Sequence, residues 1–408
     1  MNPCSLLFLF FFIAVLAIFH RVPGPAGRRA FLGAVNLAFV ATFIPNWQSW
    51  ASLGIFLAAS YILLVAARAR APGGLLAISV AALVGGFLYL RKYVFLEMLV
   101  PASLLDHGMA LIGVSYMLFK FLHMAVDLKQ GQDLRLTFSG YVNYQLAFFT
   151  LIAGPIQRYG EFQAFWENPA PDAGDLRASL DGWNRIFNGM LKMGVAAAGA
   201  LYLYDRAAAG FLEPQSTPAL AARFAVYFYA YPAYLYFNFS GYTDIVLGCA
   251  KLLGLRLPEN FDRPYLARNV VDFWSRWHIS LTNWIRDYAF MLPYKWIAER
   301  SSRPAAAAAG YLLAFASLLL AGVWHGATTN FVVFGALHGA GAVVTQLYGA
   351  LLKRRLKAPE RKSYNRNKWI ESGAIVVTFH FVCFSFLFFP ADLQMTLERL
   401  HLVAARLL

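Results

Sequence analysis

"LLFLFFFIAVLAIF", residues 6–19, carries no charge, no Gly and no Pro. A segment with no polar face has nothing to offer water. It lacks the strict polar/apolar alternation of a membrane barrel strand. Inside a bilayer such a backbone must satisfy its own hydrogen bonds, and a helix does so within one segment. Comparable runs recur along the 408 residues, 59% of which are hydrophobic and only 14% charged, with a mean hydropathy of +0.52. That is too little charge to cover a soluble surface. The chain reads as an all-α polytopic membrane protein, a single membrane-embedded domain over residues 1–408.

Hydropathy windows place spans at 3–20, 31–46, 50–66, 73–90, 107–128, 140–154, 186–204, 217–237, 305–323, 331–351 and 370–390, about eleven crossings. Segments 93–105 and 241–257 are weaker and read as short, tilted or re-entrant. The first run has no preceding Lys or Arg and no small-x-small site after it. It is expected to remain as a spanning helix rather than be cleaved. Arg21, Arg28 and Arg29 then mark a cytoplasmic loop and put the N-terminus outside. Arg68 and Arg70 agree. Arg91 and Lys92 break the alternation and predict a re-entrant segment near 73–105. The basic stretch "KRRLKAPERKSYNRNKW" (353–369) is expected in the cytoplasm.

The net charge of +14 and pI of about 9.7 raise the question of nucleic acid. The basic residues are scattered over short loops, the pattern of positive-inside topology and anionic lipid contact, so lipid and not nucleic acid is the expected partner. Cys4, Cys249 and Cys383 form neither a close pair nor a ligand spacing, and no metal site is expected. No internal repeat supports an inverted-repeat transporter of envelope precursors, the main rival reading.

One central segment departs from this pattern: "LPENFDRPYLARNVVDFWSRWHISLTNWIRDY" (257–288). Pro258 and Pro264 interrupt the backbone, and a helix can begin after Asn269. At 100° per residue Trp274, Trp277, His278, Leu281, Trp284, Ile285 and Tyr288 share one face. Asp272, Arg276, Ser280, Asn283 and Asp287 share the other. A bland reading is an interfacial helix; a sharper one is a helix beside a water-filled cavity. A second histidine, His325, lies in "LLLAGVWHGATTNFVVF" (318–334). An ionisable ring in so apolar a run is a functional candidate by default, although one such His can also be a satisfied packing residue. Neutral imidazole can accept a proton from an attacking hydroxyl near physiological pH.

The blocks "FNFSGYTDIVLGCAKLLGLRLPENFDRPY" (237–265), "DFWSRWHISLTNWIRDYAF" (272–290) and "WHGATTNFVVFGALHG" (324–339), with "LIAGPIQRYGEF" (151–162) upstream, resemble the membrane-bound O-acyltransferase family. The likeness covers roughly 107–390, leaving 1–106 as N-terminal helices. It implies short helices around a central tunnel and a bacterial cytoplasmic (inner) membrane location. It implies transfer of a small acyl group from a cytoplasmic thioester to hydroxyls of an envelope polymer. "RDYAFM" (286–291) and the chain length resemble the teichoic-acid D-alanyl branch. Alginate-type or peptidoglycan O-acetylation is the alternative. No bound cofactor is implied; a phosphopantetheine thioester on a carrier protein or CoA is the donor substrate. The partners implied are that carrier and an extracytoplasmic acyltransferase or polymer-handling protein.

By the same resemblance His325 is the general base or hydroxyl-orienting group, and His278 orients the thioester or holds the tunnel wall. Asn238, Ser240, Tyr242 and Asp244 line a substrate path or bond helices together. Trp274, Trp277 and Trp324 flank the histidines as candidate substrate-binding residues. Arg276, Arg286 and Asp287 bind a carrier phosphate or reach to headgroups. For His107, His123, His338 and His380 a core or interface role outweighs a chemical one.

Overall fold

The structure, a computed structural model, describes residues 5–69, 113–167, 175–213, 216–326, 328–390 and 392–407, with residues 81, 83–86 and 88. Among the described residues regular structure is helical, and β pairing is confined to an isolated bridge between Phe261 and Trp277. The chain divides into two compact units, one of residues 1–193 and 240–259, the other of 194–239 and 260–408.

The first unit contains α1 (Leu6–Phe19), α2 (Gly24–Ala41), α3 (Trp47–Arg68), α4 (Val114–Lys129), α5 (Phe138–Leu146), α6 (Tyr159–Glu167) and α7 (Leu176–Leu191). Side-chain caps start several of them: Ser5 accepts from the Phe8 amide, Asn46 from Ser49, Thr137 from Gly140 and Asp175 from Ala178. Helix α1 buries Phe8, Phe12, Val15 and Phe19, one face at helical spacing, and leaves Phe10, Ile13 and Ile18 exposed. That exposed apolar side is the one a lipid chain would cover.

Helix α4 is buried on nearly every side, including Lys120, His123 and Asp127. The Lys120 ammonium donates to the carbonyls of Tyr144 (2.8 Å) and Gln145 (3.4 Å) and to Thr150 Oγ1 (3.0 Å). It thereby satisfies carbonyls that the end of α5 leaves open, and the cation suits that end of the dipole. His123 bonds the Phe119 carbonyl through Nδ1 and accepts the Tyr159 amide at Nε2. Both nitrogens are occupied, the structural role expected of it. His107, the span expected at 73–90, the segment 93–105, and Arg91 and Lys92 fall largely or wholly outside the described residues.

The span expected at 140–154 is not a crossing helix. It is the nine-residue α5 followed by turns. The turn residues Ala147–Leu151 are fully buried, and Asn36 Oδ1 takes the Phe148 amide at 3.0 Å. Irregular backbone is tolerated at depth when protein covers and bonds it, a condition that hydropathy cannot read.

From α7 the chain runs through a π-turn (Lys192–Ala197) into α8 (Ala198–Ala209), then α9 (Thr217–Leu252). The two segments expected at 217–237 and 241–257 are thus one helix with Pro232 inside it. Asp244, which lowered the hydropathy there, is neutralised by Arg185 and Lys192. Within the first unit α7 crosses the C-terminal part of α9 at paired glycines. A Cβ on Gly189 would lie 2.5 Å from the Gly241 carbonyl, and one on Gly248 would lie 2.6 Å from that of Gly182.

The second unit continues with α10 (Val270–Arg276), α11 (Ile279–Trp284), a π-turn (Ile285–Phe290), α12 (Met291–Ala298), α13 (Arg303–His325), α14 (Thr329–Arg355), α15 (Ala358–Arg366), α16 (Lys368–Phe386) and α17 (Leu393–Leu407). One of its cores gathers Tyr204, Phe211, Leu220, Tyr227, Leu387 and Val403. Helices α13 and α14 form a hairpin so close that a Cβ on Gly322 would sit 2.5 Å from Gly335 Cα.

Among the described residues five helices are long and apolar enough to cross a bilayer: Trp47–Arg68, Leu176–Ala209, Arg303–His325, Thr329–Arg355 and Lys368–Phe386. The expected count of about eleven is not confirmed among the described residues. Helix α1 has 14 residues, short of the ~20 a full crossing takes. Helices α2 and α4 reach 18 and 16 residues and carry charges.

Candidate active site

The single amphipathic helix expected after Asn269 is in fact interrupted. Asn269 does start it, accepting the Asp272 amide at 2.8 Å. The ladder stops at Arg276: Trp277 is extended, and His278 has φ +46°, the left-handed region. A neighbouring stretch takes over the backbone bonds. The Asp262 amide donates to the Arg276 carbonyl, and the Ile279 amide donates to the Asn260 carbonyl, both at 3.0 Å. Asn260 Oδ1 also takes the Ser280 amide at 3.1 Å. The break moves Ser280 from the expected polar face into the interior. A non-glycine residue held at positive φ costs on the order of 1–3 kcal/mol and needs surroundings that over-determine it. Here Asn260 supplies them.

His278 is almost wholly buried. Its ring meets Phe239 edge-on at 4.7 Å and Trp324 at 6.1 Å. Trp324 lies 4.9 Å from the ring of His325. The imidazoles are therefore no farther apart than these last two steps laid end to end, well inside the ~30 Å of a hydrocarbon core. His325 ends α13. Around it stand Phe389 at 5.2 Å, Phe334 at 6.0 Å and Phe331 at 6.5 Å. The ring is only half-buried. Among the described residues neither of its nitrogens has a hydrogen-bond partner. Aromatic walls fix the plane and leave the nitrogens for something else.

His338 is the opposite case. Fully buried, it accepts the Trp274 indole N–H at Nδ1 (3.1 Å), which leaves Nε2 to carry the proton toward Ser385 Oγ (2.8 Å). Ser385 in turn donates to the Val382 carbonyl. Every group in this chain is satisfied, so His338 and Trp274 tie α10, α14 and α16 together. His380 bonds the Val376 carbonyl and the Tyr229 hydroxyl.

Of the other expected site residues, Trp277 is buried in ring contacts, stacked on Phe273 at 5.6 Å and edge-on to Phe261 at 5.1 Å. Arg276 bonds Asp272 at 2.7 Å and lies 3.9 Å from Asp262. Burial alone would raise the Asp272 carboxyl, but hydrogen bonds from Arg276 and the Arg268 amide hold it below the usual carboxylate range. Arg286 pairs with its neighbour Asp287 at 2.9 Å in an exposed position. Asn238 is half-buried on α9.

Three expected residues belong to the first unit. Asp244 is held by Arg185 (3.1 Å) and Lys192 (2.5 Å), and Arg185 also grips Glu259 with two nitrogens. The Tyr242 hydroxyl takes the Ala153 amide at 3.2 Å, bracing the turn before Gly154. Ser240 is buried, and its hydroxyl has no hydrogen-bond partner among the described residues. Sequence reasoning missed Asn260, Phe331, Phe334 and Phe389. Asn260 stood in the quoted PENF block. Phe389 carried no signal, since it reaches His325 only through the packing of α16.

A buried His278 at a helix break and a half-buried His325 at a helix end, both against Trp324 in a chain with membrane-length helices, form a candidate site for proton transfer. A family model described as MBOAT, membrane-bound O-acyltransferase family, matches residues 75–388, and the chain belongs to that family of O-acyltransferases. It is 30% identical over 409 residues to a teichoic acid D-alanyltransferase of Bacillus subtilis (strain 168), covering 95% of this chain and 98% of that one. It is 27% identical to the protein of the same name from Streptococcus thermophilus over 69% of each chain. A probable alginate O-acetylase of Pseudomonas aeruginosa is 28% identical over 67% of this chain and 48% of its own.

Proposed function

We propose that this protein moves a D-alanyl group from a thioester on a cytoplasmic phosphopantetheine arm to hydroxyls of an extracytoplasmic envelope polymer, in the bacterial cytoplasmic membrane. The observation that carries the chemistry is His325: an imidazole clamped by four aromatic rings, accessible, with no protein partner on either nitrogen among the described residues. The D-alanyl group is favoured over acetyl by the full-length likeness to the Bacillus protein, against the partial likeness to the alginate O-acetylases.

In this reading the acceptor hydroxyl donates its proton to His325 as its oxygen attacks the thioester carbonyl. The tetrahedral intermediate collapses with cleavage of the C–S bond, and the proton passes to the departing sulfur. The products are an oxygen ester and a free thiol. Positioned base catalysis is typically worth ~10²–10⁴-fold, and confinement of both substrates in one passage supplies orientation. His278, fixed by its backbone, shapes the thioester side of that passage. The central tunnel, the carrier protein and the polymer-handling partner belong to this reading.

Purified protein reconstituted in vesicles with D-alanyl and acetyl thioesters of a carrier protein or of CoA would test it, with products followed by mass spectrometry. D-alanyl transfer from a carrier thioester is expected; acetyl transfer alone would sink the D-alanyl assignment in favour of O-acetylation.

Topology is tested separately. Ser363 is exposed on α15, in the basic segment expected in the cytoplasm. S363C in intact cells should resist membrane-impermeant thiol reagents and react after permeabilisation. Rapid labelling from outside would invert the orientation.

A further inference from the structure

The first unit holds a cavity of about 150 Å³, lined in part by Arg29, Arg135, Thr137, Asn143, Gln163 and Trp166. We infer that this cavity binds a phosphate-bearing anion, with the head of an anionic lipid and free inorganic phosphate as its two sources. The inference does not depend on the acyl-transfer reading.

Among the described residues the lining includes two arginines and no carboxylate. Arg29 lies over the Trp166 ring, 5.5 Å from its centroid. Among the described residues it has no carboxylate partner. This cation–π contact holds the guanidinium at the ring, and a guanidinium carries the fork of N–H donors that suits bidentate contact with phosphate. The remaining walls are built by hydrogen bonds. Asn143 Nδ2 donates to the Arg29 carbonyl at 3.0 Å, which holds the start of α2 against α5. Gln163 accepts the Arg135 amide through Oε1 and donates to the Arg135 carbonyl through Nε2, fixing that loop on α6. The Tyr159 hydroxyl bonds the same carbonyl. Two arginines distant in sequence are thus held at one cavity by networks of their own backbones. The start of α5 also faces the cavity through Thr137 and Gly140, and its dipole adds positive potential.

The volume admits several waters or one tetrahedral head. Arg21, Arg28 and Arg29 mark the cytoplasmic ends of α1 and α2 by the positive-inside count. A basic pocket between helices at that level is placed to meet anionic headgroups.

The test uses the full chain in a zwitterionic detergent, observed by native mass spectrometry during titration with phosphatidylglycerol or phosphatidylcholine. Wild-type protein should retain one phosphatidylglycerol with a preference of about tenfold or more, the weight of a charge-assisted contact. R29Q/R135Q should lose that preference while keeping the wild-type elution and circular dichroism. If the double variant fails to fold, the single R135Q change on an exposed loop gives the same reading. Inorganic phosphate is then added against chloride at matched ionic strength. Displacement of the lipid identifies phosphate itself as the ligand; retention assigns the site to the lipid head. A wild type that holds neither lipid preferentially and does not bind phosphate overturns the proposal, as does a folded arginine variant with the preference intact.

Discussion

H325A should insert and fold like the wild type and lose about 10²–10⁴-fold in transfer rate. The expectation rests on what the ring does not do. None of its nitrogens supports the fold among the described residues, so removing it strands no buried donor or acceptor. Its rim of Trp324, Phe331, Phe334 and Phe389 loses contact area but no hydrogen bond. The check is turnover of a carrier thioester by H325A in vesicles, beside its melting temperature. Near-wild-type turnover would remove the catalytic role. A collapsed melting temperature would turn His325 into a packing residue.

H338A should do the reverse. It deletes a fully buried ring and leaves the Trp274 indole N–H without its acceptor and the Ser385 hydroxyl without its donor. Large-to-small change in a core costs about 3–5 kcal/mol, and each stranded polar group adds ~1–3 kcal/mol. A steep fall in thermal stability in detergent is expected, with reduced yield. Any fraction that folds should keep more activity than H325A. A stable H338A with abolished turnover would reverse the roles of the two histidines. The pair of variants separates two imidazoles thirteen positions apart in one apolar block, which the sequence distinguishes only through the family resemblance.

The difference between them marks how far the sequence is legible. Composition fixes the all-helical membrane class, and the Asn269 cap and the two histidine blocks can be read as strings. The break at Trp277–His278 cannot. Helical spacing is intact through those residues; the interruption is imposed by Asn260 and Asp262, which take the backbone bonds from outside the segment. The same limit explains the span count. The turns after α5 are apolar and look like a crossing, yet they are buried inside protein. Asp244 argues against a continuous helix until Arg185 and Lys192 are seen to neutralise it. Hydropathy reads a segment's own chemistry, and these outcomes were decided by partners elsewhere in the chain.

The glycine crossing of α13 and α14 bears on how substrate reaches His325. Backbones already in van der Waals contact at Gly322 and Gly335 cannot close further, and parting them would forfeit the contact along the whole hairpin. If that hairpin stays closed, Phe331 and Phe389, 5.0 Å apart beside the imidazole, are expected to act as the leaves of a shutter through side-chain rotation. Aromatic rotations of this kind are fast local motions, unlike the microsecond-to-millisecond displacement of whole helices. Amide exchange across 319–325 and 332–335, within the two helices, should accordingly stay slow with and without donor. Changes in acyl size would then be accommodated by exchanging the leaves, with the frame left as it is.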